Sequence, residues 1–206
     1  MNNETITFYD VPLVCGAAPA IGCGSRAKPL LLDLERQPAI KEAWLNRTGT
    51  IVAIVWRGPA RTEETGRSVF ERHEVQYTER DTGDYDTEPF RDERAWLRGP
   101  EVDRLSQEEA GEIAETSVNS TMKDGLISVE EAAQIKSDIE AYFSEELVKL
   151  RTKQELLADA QGTFRQAVLC IYRKHLGVER MAEVRAHGIQ DPFNRTERDE
   201  TSSCCP

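Results

Sequence analysis

Apolar and polar positions change their period part-way along this chain of 206 residues. Near the N-terminus the apolar runs are short and β-branched. Ile6-Thr7-Phe8-Tyr9 predicts a strand that leads through Val11-Pro12-Leu13-Val14, with Pro12 marking an edge position or a bulge. Ala27, Leu30, Leu31 and Leu34 follow the i, i+3, i+4, i+7 spacing of one helix face. Ser25 is the expected N-cap, Pro29 falls in or just after the first turn, and Pro38 ends the helix. Thr50-Ile51-Val52-Ala53-Ile54-Val55-Trp56 is apolar on both faces and reads as a central strand. Strand, crossover helix and parallel strand then make a βαβ unit. A polar loop from Arg57 to Arg67 leads to a third expected strand, Val69 to Tyr77, carrying His73.

Beyond an acidic loop that holds Asp81, Asp84, Asp86 and Glu88, the period becomes helical. Ser106 with Glu109, and Ser128 with Glu131, both fit the Ser-x-x-Glu capping box, and Asp124-Gly125 separates the two predicted helices. Phe143, Leu147, Leu150, Gln154, Leu157, Gln161, Phe164, Val168, Ile171 and His175 keep an alternating four-three spacing over more than four heptads, which predicts a coiled-coil seam. On this reading Cys170 lies one place off the seam, in the core. Burying that stripe needs a second helix, in the same chain or in a homodimer. Gly177 stops the helix, a short one follows to about His187, and the polar segment from 191 to 206 reads as a flexible tail.

Charge narrows the function classes. The net charge is −11, and residues 1–60 carry +1 of it, so the remainder carries −12. That balance excludes a general nucleic-acid binder, which needs clustered Lys and Arg to neutralise phosphates. With no basic stretch ahead of an apolar run, and no apolar stretch of about 18 residues, the expectation is a cytoplasmic chain with no membrane partner. In such a compartment Cys15, Cys23, Cys170, Cys204 and Cys205 are thiols.

Cys15 and Cys23 bracket a Gly/Ala/Pro loop between the first strand and the first helix. A thiol just ahead of a helix N-terminus is stabilised as thiolate by the positive end of the dipole. Gly22, Gly24 and Ser25 can supply anion- or thiolate-stabilising backbone N–H groups, and Arg26 and Lys28 add positive charge, so Cys23 is expected to out-react Cys170. Thiolates prefer soft ions such as Cu(I), Zn(II) or Hg(II). Three readings stand open for the loop: soft-metal or thiol chemistry, anion binding by backbone N–H groups, and two small buried side chains. A Walker loop is excluded, because no Gly-Lys precedes Ser or Thr between Gly16 and Lys28. Asp124 to Glu131 matches the back half of an EF-hand loop, but Ser120 and Met122 would fill its first and third ligand places. No Ser-His-Asp or Cys-His spacing supports a hydrolase, and no catalytic residue is assigned.

The order strand, cysteine loop, helix, followed by Ala39-Ile40, Ala43-Trp44-Leu45-Asn46 and Thr48-Gly49-Thr50, resembles the first half of a heavy-metal-associated domain over about 50 residues. The resemblance implies a ferredoxin-like fold and metal binding at Cys23. It departs from the family motif, whose two cysteines are two residues apart: here Arg26 stands three positions after Cys23, and Cys15 would be the substitute ligand. The paired Cys204 and Cys205 are similar to the delivery thiols in the tail of mercuric ion reductase.

The expected architecture is therefore α+β. A ferredoxin-like domain with the cysteine loop covers 1–100, an acidic helical domain with a long coiled-coil-like helix covers 101–190, and the cysteine-bearing tail covers 191–206. The expected function is soft-metal binding or transfer through Cys15 and Cys23, with Cys204 and Cys205 as delivery thiols and a metal donor or acceptor protein as partner. The alternatives are a thiol redox or sulfur-transfer enzyme with Cys23 as nucleophile, and a helical interaction module with a structural loop.

Overall fold

The computed structural model describes residues 5–58, 63–80, 91–92, 94–150, 155 and 162–186. Its first part is a five-stranded antiparallel sheet: β1 (Ile6–Asp10), β2 (Ile40–Asn46), β3 (Ile51–Trp56), β4 (Thr78–Glu79) and β5 (Trp96–Arg98), in the order β4-β1-β3-β2-β5. The apolar run ending at Trp56 does form the central strand. Ile6 pairs with Val55 on one side of it and Trp44 with Ala53 on the other. The expected parallel βαβ unit is corrected, because β1 and β3 run antiparallel. The strand that returns after the first helix is β2, which the mixed polar run Ile40-Lys41-Glu42-Ala43 obscured.

Helix α1 (Gly24–Glu35) buries Ala27, Leu30, Leu31 and Leu34 completely, the face that the spacing predicted. Its cap is Cys23 rather than Ser25, and no side chain bonds into the first turn. The third expected strand is corrected as well: Glu63–Arg72 is helix α2, and Val69 and Phe70 are fully buried with Tyr9 and Ile54. Both helices thus cover the same face of the sheet. His73 follows α2, with Nε2 3.1 Å from Asp33 Oδ2.

The second part starts at a 3-10 turn, Gly99–Val102, which runs into α3 (Asp103–Lys123). After the turn at Gly125 come α4 (Val129–Glu146) and, later, α5 (Thr163–Ala186). Ser128 caps α4 in a full capping box with Glu131. One continuous seam is not formed. Helix α4 ends at Glu146, a 3-10 turn spans Leu147–Lys149, and the chain at Leu150 is extended. Gln154, Leu157 and Gln161 lie outside the described residues. Among the described residues the stripe packs within one chain: Phe143 and Phe164 pack edge-to-face at 5.0 Å, and Val168 and Tyr172 join Ile113, Val118, Ile135 and Ile139 in a second core. In α5 the Gly177 backbone is non-helical, with φ 75°, so the predicted stop is a kink between two helical stretches. Among the described residues no helix is long and apolar enough to cross a membrane.

Candidate functional site

The cysteine loop is a short ribbon. Val14 and Gly22 form an isolated antiparallel bridge, in which the Cys15 N–H donates to the Ile21 carbonyl (2.9 Å) and the Cys23 N–H to the Leu13 carbonyl (2.7 Å). Side chains alternate across such a ribbon. Leu13, Cys15, Ile21 and Cys23 therefore share its inward face, and the two cysteines are diagonal neighbours with Cα atoms about 7–8 Å apart. Val14, on the other face, is 37% exposed.

The ribbon rests on the turn between β2 and β3. Leu13 and Gly22 donate to the carbonyls of Gly49 (3.0 Å) and Arg47 (2.8 Å), while the Asn46 side chain bonds Thr48, Thr50 and the Ile51 N–H to hold that turn. Gly49 has φ 73°, and a Cβ there would stand 2.4 Å from the Leu13 carbonyl oxygen. A side chain is excluded at Gly49 for both reasons. Thus the Thr-Gly-Thr turn and the glycine of the cysteine loop fit together as one close backbone contact.

The inward face is closed by α3. Cys15 is 1% exposed, Cys23 is 3% exposed, and Glu109, from the second turn of α3, is 3% exposed. The Cys15 sulfur accepts from the Ala18 N–H at 3.2 Å and lies beside the Glu109 carboxyl. The Cys23 sulfur lies 3.4 Å from Ser25 Oγ. Burial pushes the Cys15 thiol up, and the neighbouring Glu109 carboxyl pushes it further. Cys23 moves the same way for the same two reasons, although Ser25 and Arg26 oppose the shift. Burial also raises the Glu109 carboxyl. Loss of hydration penalises every charged form in this pocket, so all three groups are shifted towards their neutral forms.

That electrostatic balance works against the expected thiolate cradle. The helix end and Arg26 are present, yet desolvation outweighs them. Lys28 turns away to Asp103, with Nζ 2.5 Å from Oδ2, and Arg26 donates to the Pro12 carbonyl. Gly22 and Gly24 serve close packing: a Cβ on Gly22 would meet Gly49 Cα at 2.9 Å, and one on Gly24 would meet Ser106 Oγ at 2.4 Å. The expected comparison with Cys170 is corrected too: Cys170, half-buried on α5, is disulfide-bonded and is not a free thiol. Cys204, Cys205 and the acidic group Asp81, Asp84, Asp86 and Glu88 lie outside the described residues.

Glu109 and Ser106 are the site residues that sequence reasoning misassigned. Their spacing is that of a capping box, but α3 begins at Asp103, so both sit within the helix and face inward. Among the described residues, Ser106 Oγ and Glu109 Oε2 are buried with no hydrogen-bond partner. The only available signal was a weak one: Leu105, Ala110 and Ile113 define an apolar face that also contains Ser106 and Glu109. Among the described residues no three His, Cys, Asp or Glu side chains are gathered to hold a metal ion, which leaves the two thiols as the soft donors. No protein-family model, curated protein or solved structure matches the chain.

Proposed function

We propose that this chain binds or transfers a soft metal ion through the thiols Cys15 and Cys23. One observation carries the reading: the bridge register sets both sulfurs on the same inward face of a ribbon that ends at the N-terminus of α1. Two thiols so placed suit the two-coordinate demand of Cu(I) or Hg(II) better than the four ligands of a structural zinc centre. Capture releases the thiol protons, because the ligand is the thiolate. Once formed, the metal–thiolate group would be held in a dry pocket, away from competing solvent.

A ferredoxin-like assignment of the first part supports this reading. We read the order β1-α1-β2-β3-α2-β4, with strands arranged 4-1-3-2 and β5 beside β2, as a split βαβ pattern. In that arrangement the cysteine ribbon occupies the connection from β1 to α1, where the resemblance to heavy-metal-associated domains sets the metal loop. The tail thiols Cys204 and Cys205 would serve as delivery ligands.

A second reading rests on the burial itself. Thiols that are 1% and 3% exposed, with raised pKa, behave as small apolar side chains, and the chain would then act through its helical layer. The same two observations weigh against an activated Cys23 nucleophile. Anaerobic titration with Cu(I) or Hg(II), followed by elemental analysis, separates the readings. The expected result is one ion per chain, lost in Cys15→Ser and in Cys23→Ser and kept when Cys204 and Cys205 are both replaced by Ser. Uptake that survives Cys15→Ser with Cys23→Ser overturns the loop site.

A further inference from the structure

We propose that the seam between the cysteine ribbon and the second turn of α3 is the gate of the dithiol, and that the ribbon tip swings while α3 stays in place. The inference rests on the metal reading for its purpose, but not for its test.

The two sides of the seam are held very differently. Helix α3 is anchored to the first core by Val102 and Leu105, both fully buried, and by two ion pairs to that layer, Lys28 with Asp103 and Arg47 with Glu108. The ribbon tip has much less. Its stretch Gly16-Ala17-Ala18-Pro19-Ala20 carries only small side chains, and Gly16, Pro19 and Ala20 are exposed. The Val14–Gly22 bridge closes it at the base. Inside the tip only the Ile21 N–H to the Ala18 carbonyl (3.1 Å) and the Ala18 N–H to Cys15 Sγ (3.2 Å) hold it, with Ala18 its one buried alanine. A Cβ on Gly16 would meet nothing within 4 Å. Only Ile21 contributes a large apolar side chain between Cys15 and Cys23.

The contact itself is polar on the α3 side. Ser106 Oγ and Glu109 Oε2 have given up hydration without gaining a partner, an arrangement that weakens a closed interface relative to an apolar one. Lifting the tip returns Glu109 to water and exposes Cys15, then Cys23, while Ser106 stays packed on Gly24 of α1 and the apolar faces of α1 and α3 remain covered. Local opening of this kind costs less than global unfolding, because it breaks few apolar contacts.

The gate is tested on the full metal-free chain. Alkylation of Cys15 and Cys23 by iodoacetamide is followed by mass spectrometry across low urea concentrations. Hydrogen exchange is followed at the Cys15 and Cys23 amides. A gate gives alkylation rates that hardly change with urea until the unfolding transition, and these two amides exchange at least tenfold faster than those of Leu30 and Ile54. Glu109→Leu, which replaces the unpartnered oxygen by apolar contact, is expected to slow Cys15 alkylation about tenfold. Rates that climb with urea on the slope of global unfolding, together with amide protection equal to that of Leu30, overturn the gate whether or not Glu109→Leu folds. Because no ion is present, a chain that opens in this way yet takes up no Cu(I) or Hg(II) sinks the metal reading and leaves the gate standing.

Discussion

Ser106–Glu109 and Ser128–Glu131 are the same four-residue pattern with opposite outcomes. At Ser128 the hydroxyl accepts from the Glu131 N–H, the Glu131 carboxylate accepts from the Ser128 N–H, and Arg180 pairs with that carboxylate from α5. Arg180 and the Ser128 N–H hold Glu131 well below the usual range, at about 2. At Ser106 the helix has already begun, the backbone N–H groups are committed, and the same two side chain types are driven into the interior. Glu109 then shifts upward because it loses water, and one of its oxygens finds nothing in return. The difference teaches that a cap motif acts only where the first turn leaves N–H groups unpaired. Four residues past the cap position, at Ser106, it becomes a buried polar pair.

The sharpest test of that contrast is Gly24, which exists as glycine because Ser106 is there. Gly24→Ala places a Cβ within 2.4 Å of Ser106 Oγ and 2.8 Å of the Val102 carbonyl oxygen, so overpacking should cost about 1–3 kcal/mol in urea denaturation. Gly125→Ala, in the turn ahead of Ser128, meets no neighbour and should cost about 1 kcal/mol, through its φ of 69° alone. Equal losses at the two sites would show that the start of α3 does not press on α1.

A smaller effect separates the serines. Ser128→Ala removes the cap of α4 and should cost about 1 kcal/mol. Ser106→Ala removes an oxygen that bonds nothing and should be neutral or slightly stabilising. A Ser106→Ala loss as large as that of Ser128→Ala would mean that Ser106 has a partner and the seam is not weakened there.

The smallest effect is in the pH profile, where the two glutamates act with opposite sign. Glu131 is depressed when folded, so its contribution is present above the unfolded carboxyl range and is lost as pH falls towards about 2. Glu109 is raised when folded, so the native state holds its proton longer, and stability falls as pH climbs from the unfolded value, near 4.3, through the raised one. The raised thiols extend that decline above the ordinary thiol range. Urea midpoints of Glu131→Gln and Glu109→Gln, measured from pH 3 to pH 10, should flatten opposite ends of the profile. Flattening at the same end would refute the contrast.

Periodicity alone determined several elements: the buried face of α1, the central strand from Ile51 to Trp56, the change to helix in the second part, and the cap at Ser128. Each depends on neighbours in sequence, where the 3.6-residue and two-residue periods act directly. It did not reveal β2, whose charged Lys41 and Glu42 interrupt the apolar run, nor the helical state of Val69. The four-three stripe was legible as apolar but not as three helices folded on one another, because spacing records which residues want burial and says nothing of what covers them.

The cysteine site divides along the same line. The sequence by itself set two thiols at the ends of a small-residue loop before a helix, and from that came the expectation of an activated thiolate. Tertiary structure alone brought Glu109 and Ser106 from some ninety residues away to close the pocket. A helix dipole and nearby cations are local features that can be read along the chain, whereas desolvation depends on what the rest of the fold places overhead. Here the second outweighs the first, so both thiols stay protonated inside a closed ribbon.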